Sequence, residues 1–483
     1  MLIDFRPILM TIGTLLVILA LGMLVPAAVD FFVNNPDWRV FAGSASITGF
    51  AGGALAFANR GGEGRLSLQQ AFLLTALVWV VLTAFAALPF LFCELHLSVT
   101  DAFFEAMSGI TTTGSTVMIG LDDLPPGLLL WRAVLQWLGG LGIIVMALSV
   151  LPILRIGGMQ MFRVEAFETE GKIVSRATQL SAGISIVMIF LTLVLAIALS
   201  LAGMTVLEAA VHAMTTIATG GYSTSDASVG YFDSALIEGL ITVGMIMGGI
   251  PFVLYLKIIR GNRRGLLQDS QVRWYLSILF CVTMAVALWL WLKDDFALFQ
   301  ALRYSSFNVV SIMTGTGFAS TDYGLWGTFA VGVMFFLMFV GGCYGSTACG
   351  IKIFRFQILF AAAAAHIRRL VQPHGVFTPM FNRNPISDEV INSVLSYFVM
   401  FGATFSVITL GLNLLGLDFV TAMSGAGTAM SNVGPGLGPV IGPAGNFQSL
   451  PDAAKWLLIA GMLVGRLEVF TVLVIFTPHF WRS

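Results

Sequence analysis

The sequence predicts an all-α polytopic membrane protein with four tandem units of helix, pore helix, filter loop and helix. The units surround a pseudo-fourfold pore and follow a two-helix hairpin. Two observations carry this. Hydrophobic residues make up 57% of the 483 and charged residues only 10%, with a mean hydropathy of +0.92, whereas a soluble domain carries about 25% charged residues. Within the apolar stretches, a short Gly-centred segment recurs about every hundred residues: Thr111–Ser115, Ala218–Tyr222, Thr314–Phe318 and Ser431–Pro435.

The hairpin is read at 8–33 and 39–58. Arg6 before the first run imitates a signal peptide, but the run is too long for a signal h-region and leads into a second span. The first unit then reads as 68–92, 101–111, 112–120 and 127–153, and the second as 179–203, 206–217, 218–228 and 232–259. The third is 272–292, 297–313, 314–323 and 326–355, and the fourth 388–415, 418–430, 431–438 and 454–478. The organisation expected is therefore a hairpin over 1–66 and pore repeats over 67–155, 156–262, 263–360 and 361–483. Eleven helical residues rise about 16 Å, half the hydrocarbon thickness, so each short helix can stop at mid-membrane. Non-helical backbone at that depth survives only inside protein or beside a watery cavity.

Most of the 24 Lys and Arg cluster at 155–176, 257–273 and 352–383, with Arg6, Arg60, Arg65 and Arg482. The positive-inside bias puts these, and both termini, in the cytoplasm, with ten full spans. All four units share one polarity, which argues against the inverted repeats of a midplane carrier. The net charge of −1 argues against nucleic acid. Four scattered cysteines (Cys93, Cys281, Cys343, Cys349) suggest neither a disulfide framework nor a zinc site. The linkers 154–178, 260–271 and 356–387 are too short for a domain, so any nucleotide-sensing module must be another chain.

Any one Gly loop alone is an ordinary turn between membrane helices. Four, each after a half-length helix, point to an ion-selectivity filter, because glycine lets backbone carbonyls turn toward a pore and replace a cation's water. Aligned by glycine, the triplets are Thr112-Thr113-Gly114, Thr219-Gly220-Gly221, Gly315-Thr316-Gly317 and Asn432-Val433-Gly434. An oxygen-lined site without several carboxylates favours a monovalent alkali ion over calcium, and the half-helices aim their negative C-terminal ends at it. Asp101, Glu105, Asp294 and Asp295 are read either as an outer cation-concentrating rim or as solvated surface. Glu208 and His212, at i and i+4, can bond one another and are read as packing or mouth residues.

The stretch Trp131–Gly142 (WRAVLQWLGGLG), the four triplets, Gly341–Lys352 (GGCYGSTACGIK), Ser431–Gly438 (SNVGPGLG) and Gly465-Arg466 together resemble the membrane subunit of bacterial Trk potassium uptake (TrkH/TrkG type), within the Trk/Ktr/HKT superfamily. The resemblance covers nearly the whole chain. It implies a potassium pore in the bacterial cytoplasmic membrane, usually a homodimer, with K+ bound by filter carbonyls and no other cofactor. It also implies control by a peripheral, cytoplasmic, nucleotide-binding TrkA-type subunit. Ser115 and Cys349 depart from the residues common in the family, Ala and Gly respectively.

Two further features follow from that resemblance. Gly341, Gly342, Gly345, Ser346, Thr347 and Gly350 interrupt a long helix about 22 Å below its start. They are either a packing kink or, as in the family, an intramembrane gate loop. Arg466 lies near the middle of the last helix, a costly place for a charge. Glu468, two residues on, is not its natural helical partner. Arg466 is then either half of an ion pair with another helix or an electrostatic barrier under the filter. Transport driven by the electrochemical gradient is the favoured activity. A proton- or sodium-coupled symporter is the alternative, and an intramembrane enzyme the distant one, since no catalytic constellation is visible.

Overall fold

The computed structural model describes residues 3–482, apart from 62–65, 150–153, 155–156, 162–172, 263–264, 294–295 and 383. Asp294 and Asp295 therefore lie outside the described residues. Helices α1 (Arg6–Phe32) and α2 (Trp38–Ala58) form the leading hairpin. They cross at two small residues: a Cβ on Gly52 would stand 2.7 Å from the Gly13 carbonyl oxygen. Small residues let two membrane helices close to van der Waals contact where no hydrophobic drive separates lipid from leucine.

Each unit opens with a long outer helix: α3 (Leu68–Phe92), α6 (Ile173–Leu201), α10 (Ser270–Lys293) and α14 (Asp388–Leu414). The half-length helices are α4 (Val99–Ile110), α7 (Val206–Ile217), α11 (Leu298–Thr314) and α15 (Phe419–Ser431). Three of the four start on a side-chain cap, from Ser98, Thr205 and Asp418. Each oxygen accepts one of the backbone N–H groups that a helix start leaves unpaired.

The inner helices depart from the single spans expected at 232–259, 326–355 and 454–478. In the first unit α5 (Pro126–Ser149) is continuous. In the second, α8 (Ala235–Gly248) and α9 (Phe252–Ile259) meet at 91°, where Pro251 has no N–H to continue the ladder. In the third, α12 (Gly327–Leu337) stops after 11 residues and the chain becomes helical again only in α13 (Ile353–Val371). In the fourth, α16 (Asp452–Arg466) and α17 (Val469–Leu473) belong to a pair bent by 110°, with Glu468 at φ +65°. Among the described residues, seven helices are long and apolar enough to cross a membrane, or nine if each bent pair counts once. The tenth expected span is the broken third inner helix.

The breaks serve one another. Gly248 and Gly249, at the end of α8, present carbonyls that accept from the N–H groups of Thr347 (3.2 Å) and Cys343 (3.1 Å). The loop between α12 and α13 thus satisfies the groups that the α8–α9 bend leaves open. Within the linker read at 356–387, α13 occupies the first half, and Met380–Phe381 pairs antiparallel with Asn384–Pro385.

Candidate functional site: four loops and the segment beneath them

All four half-helices end alike. The N–H of Thr113, Gly220, Thr316 and Val433 reaches back to the carbonyl of Ser108, Thr215, Ser311 and Thr428, at 2.8, 2.8, 2.9 and 3.1 Å. The preceding N–H, from Thr112, Thr219, Gly315 and Asn432, reaches Gly109, Thr216, Ile312 and Ala429. This pair of bonds is the Schellman ending, which requires a left-handed residue. Accordingly φ is +53° at Thr112, +50° at Thr219, +73° at Gly315 and +52° at Asn432. Two residues later the backbone is left-handed again, at Gly114, Gly221, Gly317 and Gly434. The residue between has no positive φ. Such alternation turns successive carbonyls to one side of the strand.

The four loops close on each other. A Cβ on Gly114 would lie 2.2 Å from the Gly220 carbonyl oxygen, and one on Gly221 would lie 1.8 Å from that of Thr316. A Cβ on Gly317 would lie 2.0 Å from the oxygen of Val433, and one on Gly434 would lie 3.0 Å from that of Thr113. Each glycine therefore touches the middle carbonyl of the next unit, and the fourth returns to the first. The same four glycines face one outer cavity of about 220 Å³.

Behind the first two loops stands a buried polar buttress. Arg132 donates to Glu105 Oε1 at 2.8 Å and to the Ser223 carbonyl at 3.0 Å, and its guanidinium lies 4.0 Å from the Tyr222 ring centroid. One turn further along α5, the Gln136 amide donates to Gly220 O at 2.6 Å and accepts from Tyr222 N–H at 3.1 Å. Glu105 is thus not part of a solvated rim, and Asp101 bonds Lys455 at 2.6 Å. Nor do Glu208 and His212 join through their side chains. Glu208 closes the Thr205 capping box, while His212 bonds the Glu208 carbonyl and Ser223 Oγ.

Residues 338–352 pack directly under the loops. Cys349 N–H donates to Thr314 O at 3.0 Å, Gly350 N–H to Ser431 O at 2.9 Å, and Thr347 Oγ1 to Ile217 O at 2.9 Å. The segment is thereby bonded to the ends of three of the four half-helices. Arg466 does not sit in mid-helix: it is the last residue of α16. Among the described residues it forms no ion pair, and its Nη1 lies 2.9 Å from Cys349 Sγ, itself 3.5 Å from Thr112 Oγ1. Glu468, turned away by the break, pairs instead with Arg355 at 2.9 Å, and that guanidinium also holds Gly157 O and lies 3.7 Å from the Tyr397 ring centroid. The small cavity lined by the segment, Asn432 and Arg466 is about 30 Å³, room for about one water.

The residues missing from the sequence-based list are Arg132, Gln136, Tyr222, Arg355 and Cys349. Arg132 and Gln136 carried a visible signal, two polar groups four apart in an apolar helix, which inside a membrane demand partners. Arg355 gave none, because it fell at the last position of the span read at 326–355, whereas it stands at the start of α13.

The chain as a whole has known relatives. A profile of the TrkH family, described as a cation transport protein, matches residues 39–483. Trk system potassium uptake protein TrkI of Halomonas elongata is 44% identical over 480 residues, spanning 99% of this chain and 97% of that protein. The chain belongs to the TrkH family. TrkH of Escherichia coli K12 is 36% identical over 99% of this chain and all of its own length. The crystal structure of the potassium transporter TrkH from Vibrio parahaemolyticus superposes with a TM-score of 0.92 at 36% identity, covering 99% of this chain and 100% of that one. The fold is that of these TrkH proteins, and the chain is a multi-pass transporter rather than an enzyme.

Removing one partner of a buried ion pair strands the other charge, at about 3–5 kcal/mol. Glu105→Ala should accordingly lower the melting temperature of the purified protein markedly, while Asp233→Ala, which removes an exposed acid and leaves Arg303 its bond to Glu238, should lower it much less. Equal melting temperatures for the two variants would contradict the buttress.

Proposed function

We propose that the protein takes up potassium through a selective, gated pore. The single observation that carries this is the closed ring in which each loop glycine meets the middle carbonyl of the next unit. In this reading the triplets 112–114, 219–221, 315–317 and 432–434 are the filter, and their carbonyls replace the water of a dehydrated K+. The half-helices add the negative ends of their dipoles from four sides. Relatives named as potassium uptake proteins support the choice of ion.

Gly341, Gly342, Gly345, Ser346, Thr347 and Gly350 form the gate, with Arg466 as its fixed charge. The segment lies directly beneath the loops and is bonded to three half-helix ends, which supports reading the arrangement as the closed one. Opening means breaking the bonds from 347–350 to the half-helix ends. The force for that comes from a TrkA-type nucleotide-binding subunit at the cytoplasmic face, and two copies of the chain assemble in the bacterial inner membrane with both termini cytoplasmic. Reversal potentials in reconstituted bilayers test the mechanism: a Nernstian potassium response indifferent to pH and sodium gradients identifies a channel, and a shift with either gradient identifies a symporter.

Two substitutions test the residue roles. Ser at position 114 adds a Cβ against the neighbouring Gly220 carbonyl, so Gly114→Ser should reduce potassium-over-sodium preference in folded protein. Unchanged selectivity removes this loop from the filter. For Arg466, a unit charge within about 5 Å of the ion path at an effective dielectric near 20 opposes K+ by about 3 kcal/mol, roughly a hundredfold in rate. Arg466→Ala should raise rubidium flux per folded molecule by between about tenfold and a hundredfold without changing selectivity. A variant that is unstable yet normally permeable would defeat the gating role.

A further inference from the structure

Three of the four ring carbonyls belong to β-branched residues, Thr113, Thr316 and Val433, whose side chains stiffen the backbone that carries them. The two threonines are braced further: Thr113 Oγ1 bonds Thr111 Oγ1 at 2.7 Å and accepts from Asn432 Nδ2 at 2.9 Å, and Thr316 Oγ1 bonds Thr314 Oγ1 at 2.7 Å. The fourth position is Gly220, which has no side chain to brace it. Its φ is not among the positive ones, so the glycine is not there for a left-handed turn. The space a side chain would take is filled from elsewhere. A Cβ on Gly220 would fall 2.3 Å from Cδ and 2.4 Å from Oε1 of Gln136.

Gln136 is fully buried, on the inner helix of the preceding unit, and holds both sides of the peptide pair around Gly221. It stands three residues before Gly139, which packs so closely that a Cβ there would lie 1.9 Å from the Ile110 carbonyl oxygen. The corresponding glycines of the second and fourth units, Gly248 and Gly465, similarly abut the carbonyls of Ile217 and Met430. Three residues before them, and before Gly341 in the third unit, stand Met245, Met462 and Met338, all buried. Thus Gln occurs in one unit and Met in three, while the loop that the Gln grips has Gly where the other three are β-branched.

We propose that Gln136 is a selectivity-determining positioning residue: its amide replaces, across the unit boundary, the side chain that the second loop lacks, and fixes the Gly220 carbonyl in the ring. The bond also occupies one of that oxygen's two lone pairs, which makes the second quarter of the ring a weaker ligand than the others. This rests on reading the four loops as the filter.

The test is a set of variants purified, reconstituted and scored by potassium/sodium permeability ratio from bi-ionic reversal potentials, alongside melting temperature. Gln136→Met installs the residue of the other units at near-equal volume and should fold. Its permeability ratio should fall about tenfold, the factor given by about 1.4 kcal/mol, the net worth of one hydrogen bond. Gln136→Leu is likewise apolar and loses the donor to Gly220 O, and should fall as far; it carries the test if Gln136→Met does not fold. Gln136→Met combined with Gly220→Thr rebuilds the second unit in the pattern of the third and should recover most of the ratio. A parental ratio in Gln136→Met, a loss of flux or stability alone, or a double variant no better than Gln136→Met overturns the proposal. Gly114→Ser is measured beside them. If it alters selectivity and Gln136→Met does not, the filter stands and the role of Gln136 falls; if neither does, the filter reading falls with it.

Discussion

Backbone N–H and C=O groups at mid-membrane have no water to turn to, and each one left unpaired costs several kcal/mol. Stopping four helices at that depth creates four sets of such groups at one level, and the architecture is organised around disposing of them. Schellman endings take the last N–H groups and fold each chain sharply outward. Of the carbonyls that remain, those at the middle of the loops meet the glycine of the neighbouring loop, and others are taken by the segment below. The left-handed residues at both ends of every triplet follow from the same demand, which is why Thr112, Thr219 and Asn432 tolerate a conformation that side chains ordinarily avoid.

The same constraint joins the level of the four loops to the level beneath it. Cys349, Gly350 and Thr347 supply donors to three half-helix ends, and the bend in the second inner helix supplies acceptors to the same segment. Arg466 reaches Cys349 from the fourth unit, and Arg355, just below, joins Glu468, Gly157 and Tyr397. A displacement of this segment therefore exposes backbone groups in several units at once, which favours two discrete arrangements over a graded one.

Much of this was legible in the sequence. The hundred-residue recurrence, the half-length helices and the glycine of each triplet all express local backbone requirements, and those leave their mark at fixed positions. What stayed hidden depends on where helices break. Arg466 and Glu468 fall on different faces of any continuous helix, and only the turn at Glu468 sends one to Cys349 and the other to Arg355. Likewise Glu105 looked like a surface acid because nothing local announces Arg132, 27 positions away. Cys349 was noticed as a departure from a family pattern, but its place between Thr112, Gly315 and Arg466 is a property of packing.

Building the ring from one chain has a genetic consequence. In an assembly of four identical subunits any substitution is imposed on every quarter at once, so small changes are multiplied and mild variants are scarce. Here each quarter mutates alone, and the triplets have drifted apart in composition while their backbones stay alike. Such a ring can be adjusted one wall at a time, and its walls are free to take on different duties.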